Sequence, residues 1–178
     1  MGLKFLIAID LQKDFIDGTL GTPEAQTIIP SVIDKITKAS DIGYKVIFTR
    51  DTHYEDYAST QEGKRLPVSH CMYHSDGWQI PPEISYASSS AVFYCKSTFG
   101  CSDLVDEIRG YEECVDEIVI IGLVTDICVI SNALLLKPYF PDVPIIVDAS
   151  CCAGTTQENH NKALDVMQQC QIIITNRS

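Results

Sequence analysis

A chain of 178 residues that is 46% hydrophobic carries enough apolar material for a substantial core and is not a disordered chain. Its 24 acidic against 13 basic residues leave a formal charge of -11, which repels phosphates and argues against nucleic acid or an anionic membrane surface as partner. The apolar run Leu3–Ile9 is too short to span a bilayer and meets Asp10 at once, unlike a secretory signal, so a cytoplasmic location is expected.

Leu3–Ile9 reads as a first strand, followed by an amphipathic helix over 25–40 with Ile28, Ile29, Val32, Ile33 and Ile36 at helical spacing. Strands are expected over 45–49 and 91–95, and a short helix over Ser102–Arg109 turns Leu104, Val105 and Ile108 inward. A fourth strand covers 117–121, and the helix after it is closed by Pro138. A fifth strand over 144–147, a helix over 156–169 and a sixth strand over 171–175 complete the chain. Strands alternating with helices predict a parallel sheet covered on both faces, in one domain spanning 1–178. The polar stretch 51–90, with Pro67, Gly77, Pro81 and Pro82, breaks the pattern; loops of that length inside a compact domain are usually functional. Eight cysteines without any Cys-x-x-Cys spacing give no structural zinc site. Most should be free and buried, with Cys151 and Cys152 pointing opposite ways from an extended segment.

The chain is organised around 118–133. Its β-branched run, Ile118 to Ile121, is broken by Gly122; Thr125 offers an N-cap, Asp126 a first-turn acid, and Cys128 falls three residues past the cap. There the unpaired N–H groups of a helix start can stabilise a thiolate or a developing oxyanion. A small cysteine packing a strand–helix corner is the ordinary alternative. In an open parallel sheet, ligands bind beyond the carboxyl ends of the strands. Those ends deliver Asp10, Asp51 with His53, Lys96 and, through its turn, Cys128. A carboxylate can take the thiol proton, and a lysine beside both favours the anionic forms. Asp51-Thr-His53 places two metal-binding side chains on one face of an extended segment, with His70 or His74 available as a third ligand. Such a donor set suits zinc first, or iron or manganese. His160, in the last helix, reads as a packing or surface residue. A phosphorylated receiver domain also gathers acids and a lysine on one rim, but it needs an aspartate where the third strand ends, and here Lys96 stands there.

Together, Asp10-Leu-Gln-Lys-Asp-Phe15, Asp51-Thr-His53, His70, Lys96-Ser-Thr-Phe99 and Gly122-Leu-Val-Thr-Asp-Ile-Cys128-Val resemble the isochorismatase-like cysteine hydrolases, and the metal-ligand pattern is similar to that of nicotinamidases. The resemblance implies a three-layer α/β/α fold with a six-stranded parallel doubly wound sheet. It implies Cys128 as nucleophile, Asp10 as proton shuttle, Lys96 as electrostatic partner, and a divalent metal on Asp51, His53 and His70. It also implies a cis peptide at Leu123–Val124 that aims the amides of Val124 and Cys128 at an oxyanion, with Phe15, Gln12 and Trp78 at the substrate pocket. The implied reaction is hydrolysis of nicotinamide through a thioester, with a small carbamoyl or other amide compound as the rival substrate. Self-association into a homo-oligomer is expected as well. Two departures stand out. The approach to the third ligand, Arg65-Leu-Pro-Val-Ser-His70, lacks the family's aromatic residue, and after His53 only Ser59, acting through water, suggests itself as an additional ligand.

Overall fold

The computed structural model describes residues 2–111 and 114–177, so Met1 and Ser178, the ends of the expected domain, lie outside the described residues. In chain order the elements are β1 (Leu3–Ile9), α1 (Lys13–Ile16), α2 (Pro23–Thr27), α3 (Ile29–Asp41), β2 (Lys45–Asp51), α4 (Gln61–Arg65), α5 (Pro82–Ser85) and β3 (Val92–Lys96). They continue with α6 (Ser102–Arg109), β4 (Val115–Leu123), α7 (Ile130–Leu136), β5 (Ile145–Ala153), α8 (Gln157–Gln169) and β6 (Ile173–Thr175). Among the described residues the six strands form one sheet, ordered β3-β2-β1-β4-β5-β6, with every pairing parallel. After β1 the chain builds outward on one side and after β4 on the other. The crevice at that switch is where an open α/β sheet binds its ligands.

The inner strands β1, β2 and β4 carry continuous buried apolar runs because both of their faces are covered, whereas the edge strands β3 and β6 leave Val92, Phe93 and Ile173 exposed. From β1, Phe5, Ile7 and Ile9 pack into a core with Leu104, Ile108, Ala133 and Leu164 of α6, α7 and α8. Leu6 and Ala8 face the other way, toward Val32 and Ile36 of α3 and Ile84 of α5. These are the two helical layers of an α/β/α sandwich. Cys151 and Cys152 of β5 do enter opposite cores. Among the described residues no helix is long and apolar enough to cross a membrane.

Several local expectations are corrected. The helix over 25–40 is two helices, each opening with a proline in its first turn, and Thr22 caps the first by accepting from the Ala25 N–H at 3.0 Å. A proline lacks the N–H a helix interior needs, so Pro30 starts α3 instead of continuing α2. Gly122 does not end the fourth strand. With φ +123 and no side chain, it lets β4 pass so close to β1 that a Cβ there would collide with the carbonyl oxygen of Ile9. The segment 51–90 also carries helical turns, at Tyr57–Ser59, α4 and α5.

Candidate active site and metal centre

Three strand ends converge at the β1–β4 crevice. Asp10 follows β1 directly in a left-handed backbone conformation, φ 46, which an aspartate tolerates better than most residues. Thr49 of β2 fixes it: the threonine hydroxyl donates to Asp10 Oδ1 at 2.7 Å, and the Asp10 N–H points back to Thr49. Lys96, the last residue of β3, brings its ammonium to 2.6 Å from Asp10 Oδ2 and 3.5 Å from Cys128 Sγ, and donates to the carbonyl of Thr98 at 3.0 Å. Among the described residues Asp10 Oδ2, though paired with the Lys96 ammonium, has no aligned hydrogen-bond donor, which leaves a buried acceptor beside the thiol.

Cys128 does not sit where a Thr125 cap would put it. The peptide between Leu123 and Val124 is cis. Val124 occupies the cap position, and Thr125–Val129 form a π-helical turn before α7. Thr125 instead turns inward and shares a 2.8 Å hydrogen bond with His160 of α8. His160 is therefore neither surface nor plain packing, but a buried polar anchor for the turn.

Burial and the Asp10 carboxylate together push the Cys128 thiol well above its ordinary pKa, against the pull of Lys96. Burial also raises Asp10, despite Lys96, with Asp51 adding to the rise. Burial alone would lower the Lys96 ammonium, but Asp10, Cys128 and Asp51 outweigh it and hold it charged. The resting arrangement is a thiol, a carboxylate of raised basicity and a fixed cation. It can pass a proton from sulfur to carboxylate as the sulfur attacks.

Beside this trio, Asp51 Oδ2 stands 3.0 Å from His53 Nε2 and 3.4 Å from His70 Nε2. Glu62 Oε1 lies 3.6 Å and 3.7 Å from the same two nitrogens. One ligand atom from each of the four residues falls within 4.8 Å of all the others. His70 Nδ1 is bonded to the carbonyl of Val68 at 2.8 Å, so Nε2 faces the cluster. Asp51 is held well below the usual carboxylate range: burial opposes this, but the hydrogen bonds from His53 and His70 and the charge of Lys96 prevail. Burial and then Asp51 raise Glu62. Around the crevice three carboxylates, Asp10, Asp51 and Glu62, face the single ammonium of Lys96, an excess of negative charge that a dication would neutralise. Two imidazoles and two carboxylates also make a donor set that suits such an ion.

Glu62 is the residue the sequence reading missed. Ser59, considered in its place, is exposed and donates to the carbonyl of Asp56. Thr60 caps α4 by accepting from the Gly63 N–H at 3.0 Å, and that one-turn helix aims Glu62 at the cluster. A threonine three residues ahead of a glycine was the only available signal. His74 is exposed, packs its ring at a tilt on Tyr73 and is not part of the cluster.

A cavity of about 660 Å³ opens beside the cluster, lined by Tyr54, Tyr57, Leu66, Phe99 and Ile127 together with His53 and Glu62; the stretch after Lys96 forms part of its wall, while Asp10, Lys96 and Cys128 do not line it. Phe15 sets its ring edge against His70, at a centroid distance of 5.6 Å. None of the three expected pocket residues, Phe15, Gln12 and Trp78, lines this cavity. Gln12 Oε1 accepts from the Asp51 N–H at 2.7 Å while Nε2 donates to the carbonyls of Asp51 and Trp78, so Gln12 braces the strand end that carries Asp51. Trp78 is buried, donates its indole N–H to Thr52 and carries the Arg50 guanidinium on its face. Tyr57 packs against both imidazoles, with centroids 4.5 Å from His53 and 5.3 Å from His70, and its hydroxyl donates to the carbonyl of Leu66.

A doubly wound α/β/α sheet with a thiol, a carboxylate and an ammonium at its switch point has the layout of a cysteine hydrolase. The chain belongs to the isochorismatase domain family, whose model matches residues 4–178, and is a hydrolase of that family. It is similar to the nicotinamidase of Escherichia coli, 27% identical over 195 residues covering 93% of this chain and 90% of that protein. Among solved structures, the pyrazinamidase of Pyrococcus horikoshii in complex with zinc matches with a TM-score of 0.84 at 26% identity, over 98% of this chain and 99% of that one. The pyrazinamidase/nicotinamidase of Streptococcus mutans matches with a TM-score of 0.82 at 29% identity, over 96% and 99% respectively.

Proposed function

We propose that this chain is a metal-dependent amidase that hydrolyses nicotinamide to nicotinate and ammonia through a thioester on Cys128. The observation that carries the reading is the convergence of Cys128 Sγ, Lys96 Nζ and Asp10 on one buried point beside a four-ligand cluster. The nicotinamidase and pyrazinamidase relatives support the choice of substrate.

In the first half-reaction Cys128 Sγ bonds to the amide carbonyl carbon and its proton passes to Asp10. The amides of Val124 and Cys128 receive the oxyanion, a contribution of about 10²–10³ in rate per donor in comparable sites. Collapse breaks the C–N bond, and Asp10 returns the proton to the departing ammonia. In the second half-reaction Asp10 accepts a proton from water as that water attacks the thioester, nicotinate leaves, and the thiol is re-formed. Lys96 stays cationic throughout and steadies whichever of sulfur and carboxylate is anionic. Asp51, His53, Glu62 and His70 would hold the metal, with zinc first among the candidates, and the bound ion would supply an anchor for the pyridine nitrogen. Phe15 and Tyr57, packed against the imidazoles, keep those ligands in place.

Ammonia release from nicotinamide and from a panel of small amides and carbamoyl compounds, with zinc supplied and with chelator, tests the reading. We expect nicotinamide to lead the panel, chelator to abolish its turnover and zinc to restore it. No detectable ammonia from nicotinamide with metal supplied would overturn the substrate assignment.

A further inference from the structure

We propose that Asn132 is a positioning residue that sets the distance between Lys96 and Cys128. The inference rests on reading Cys128 as the nucleophile and Lys96 as its partner. Asn132 lies on α7, one helical turn beyond Cys128, and is fully buried. Asparagine is a poor helix former, so its place in a helix interior calls for a tertiary reason. Its side-chain amide reaches two separate segments. Nδ2 donates to the carbonyl of Cys128 at 2.8 Å and to the carbonyl of Phe99 at 3.0 Å. Oδ1 accepts from the N–H of Cys101 at 2.9 Å.

Phe99 and Cys101 belong to the short stretch that leaves β3 immediately after Lys96, and the Lys96 ammonium donates to Thr98 within that stretch. The same stretch presses on α7: a Cβ at Gly100 would stand 3.3 Å from Leu135 Cδ2. One rigid planar amide therefore ties the turn that holds the ammonium to the helix that carries the sulfur. Ser97, Thr98 and Phe99 also wall the cavity, so the same amide sets that wall against the nucleophile. An apolar side chain of similar size would fill the volume but leave two carbonyls and one N–H buried without their partner.

The test is Asn132→Ala, read by steady-state kinetics and by the pH dependence of Cys128 alkylation, followed on the Cys128 peptide by mass spectrometry. We expect kcat to fall about a hundredfold with KM changed less than about threefold, the size of effect a displacement of roughly 1 Å between reacting groups produces. We also expect the alkylation midpoint of Cys128 to move to higher pH, because the ammonium that favours the thiolate has drifted away. A merely structural role would lower the melting temperature and leave that midpoint where it is. A folded Asn132→Ala protein with the original kcat and midpoint overturns the proposal. If that variant does not fold, Asn132→Asp keeps the acceptor for Cys101 and removes both donors, and the same two readouts decide. Hydrogen exchange of the unmodified protein needs no variant. The Cys101 amide should be protected as strongly as the amides of β4, and fast exchange there also overturns the proposal. The alkylation and exchange readouts need no substrate, so a failure to turn over nicotinamide is distinguishable from a failure of the clamp.

Discussion

The two halves of the crevice are built by different means. Asp10, Lys96 and Cys128 come from the ends of β1 and β3 and the turn after β4, so the rigid sheet sets their spacing. Of the four cluster residues only Asp51 ends a strand; His53 follows two residues on, and Glu62 and His70 sit in the long segment beyond it. That segment is hung by a few specific bonds. The Cys71 N–H, next to His70, donates to the buried Asp14 carboxylate at 2.7 Å, His53 pairs with Met72 in a single bridge, and Gln12 grips the backbone of Asp51. Asp51 belongs to both halves, with Oδ2 toward the imidazoles and Oδ1 3.5 Å from Lys96. The contrast teaches that the trio proposed to react is fixed by the core while the cluster is fixed by removable contacts. Changes in one half should leave the signature of the other largely intact.

The largest effect that sharpens this contrast should come from Asp10→Asn, which removes the proposed proton acceptor. We expect turnover to fall about 10²–10⁴-fold while bound metal per chain is unchanged, measured by kinetics beside elemental analysis. On the proposed mechanism the same group should set the acid limb in the unmodified enzyme. Burial raises its pKa above the ordinary 3.8, so kcat/KM should decline, as pH falls, at a pH above that value, because a protonated Asp10 cannot take the thiol proton. A midpoint at or below 3.8, or loss of metal in the variant, would break the division between the halves.

Glu62→Gln acts on the other half. Metal affinity should drop at least about 10–100-fold in competition with a chelator, and the alkylation rate of Cys128 should stay within about twofold. Unchanged metal affinity would remove Glu62 from the ligand set. The smallest effect is expected of Tyr57→Phe, which keeps the ring against His53 and His70 and loses only the bond to the Leu66 carbonyl. Stability should fall by about 0.5–1.5 kcal/mol in denaturant unfolding, with metal still bound. Loss of the metal there would mean that the hydroxyl does more than pin the 57–66 segment.

The same contrast explains what could be read in advance. Apolar runs covered on both faces announce parallel strands, and a strand's last residue is fixed by where the run stops, so Asp10, Lys96 and Asp51 were legible. The resemblance then supplied the roles of those residues, the third ligand His70 and the cis peptide. Glu62 was not legible, because α4 is a one-turn helix whose direction depends on the Thr60 cap and on Tyr57 bonding to Leu66. Gln12 and Trp78 lie in motifs that point to the site, but periodicity does not tell whether a side chain meets the ligand or braces a neighbour. Gly122 misled for a related reason. A glycine inside an apolar run reads as a break, whereas here the close approach of β1 requires it. The bonds of Thr125 to His160 and of Asn132 to Phe99 and Cys101 join residues about 30 or more positions apart, beyond the reach of any local pattern.

The central claim is that one buried thiol, Cys128, only 4% exposed and in contact with Lys96, carries the reaction. All eight cysteines are free, and Cys95, Cys114 and Cys170 are exposed. Progressive alkylation with peptide-resolved mass spectrometry, scored against nicotinamide turnover, therefore tests the claim directly. The exposed three should be modified first without loss of rate, and activity should then vanish in one-to-one proportion with modification of Cys128. Turnover that survives complete alkylation of Cys128 would contradict it.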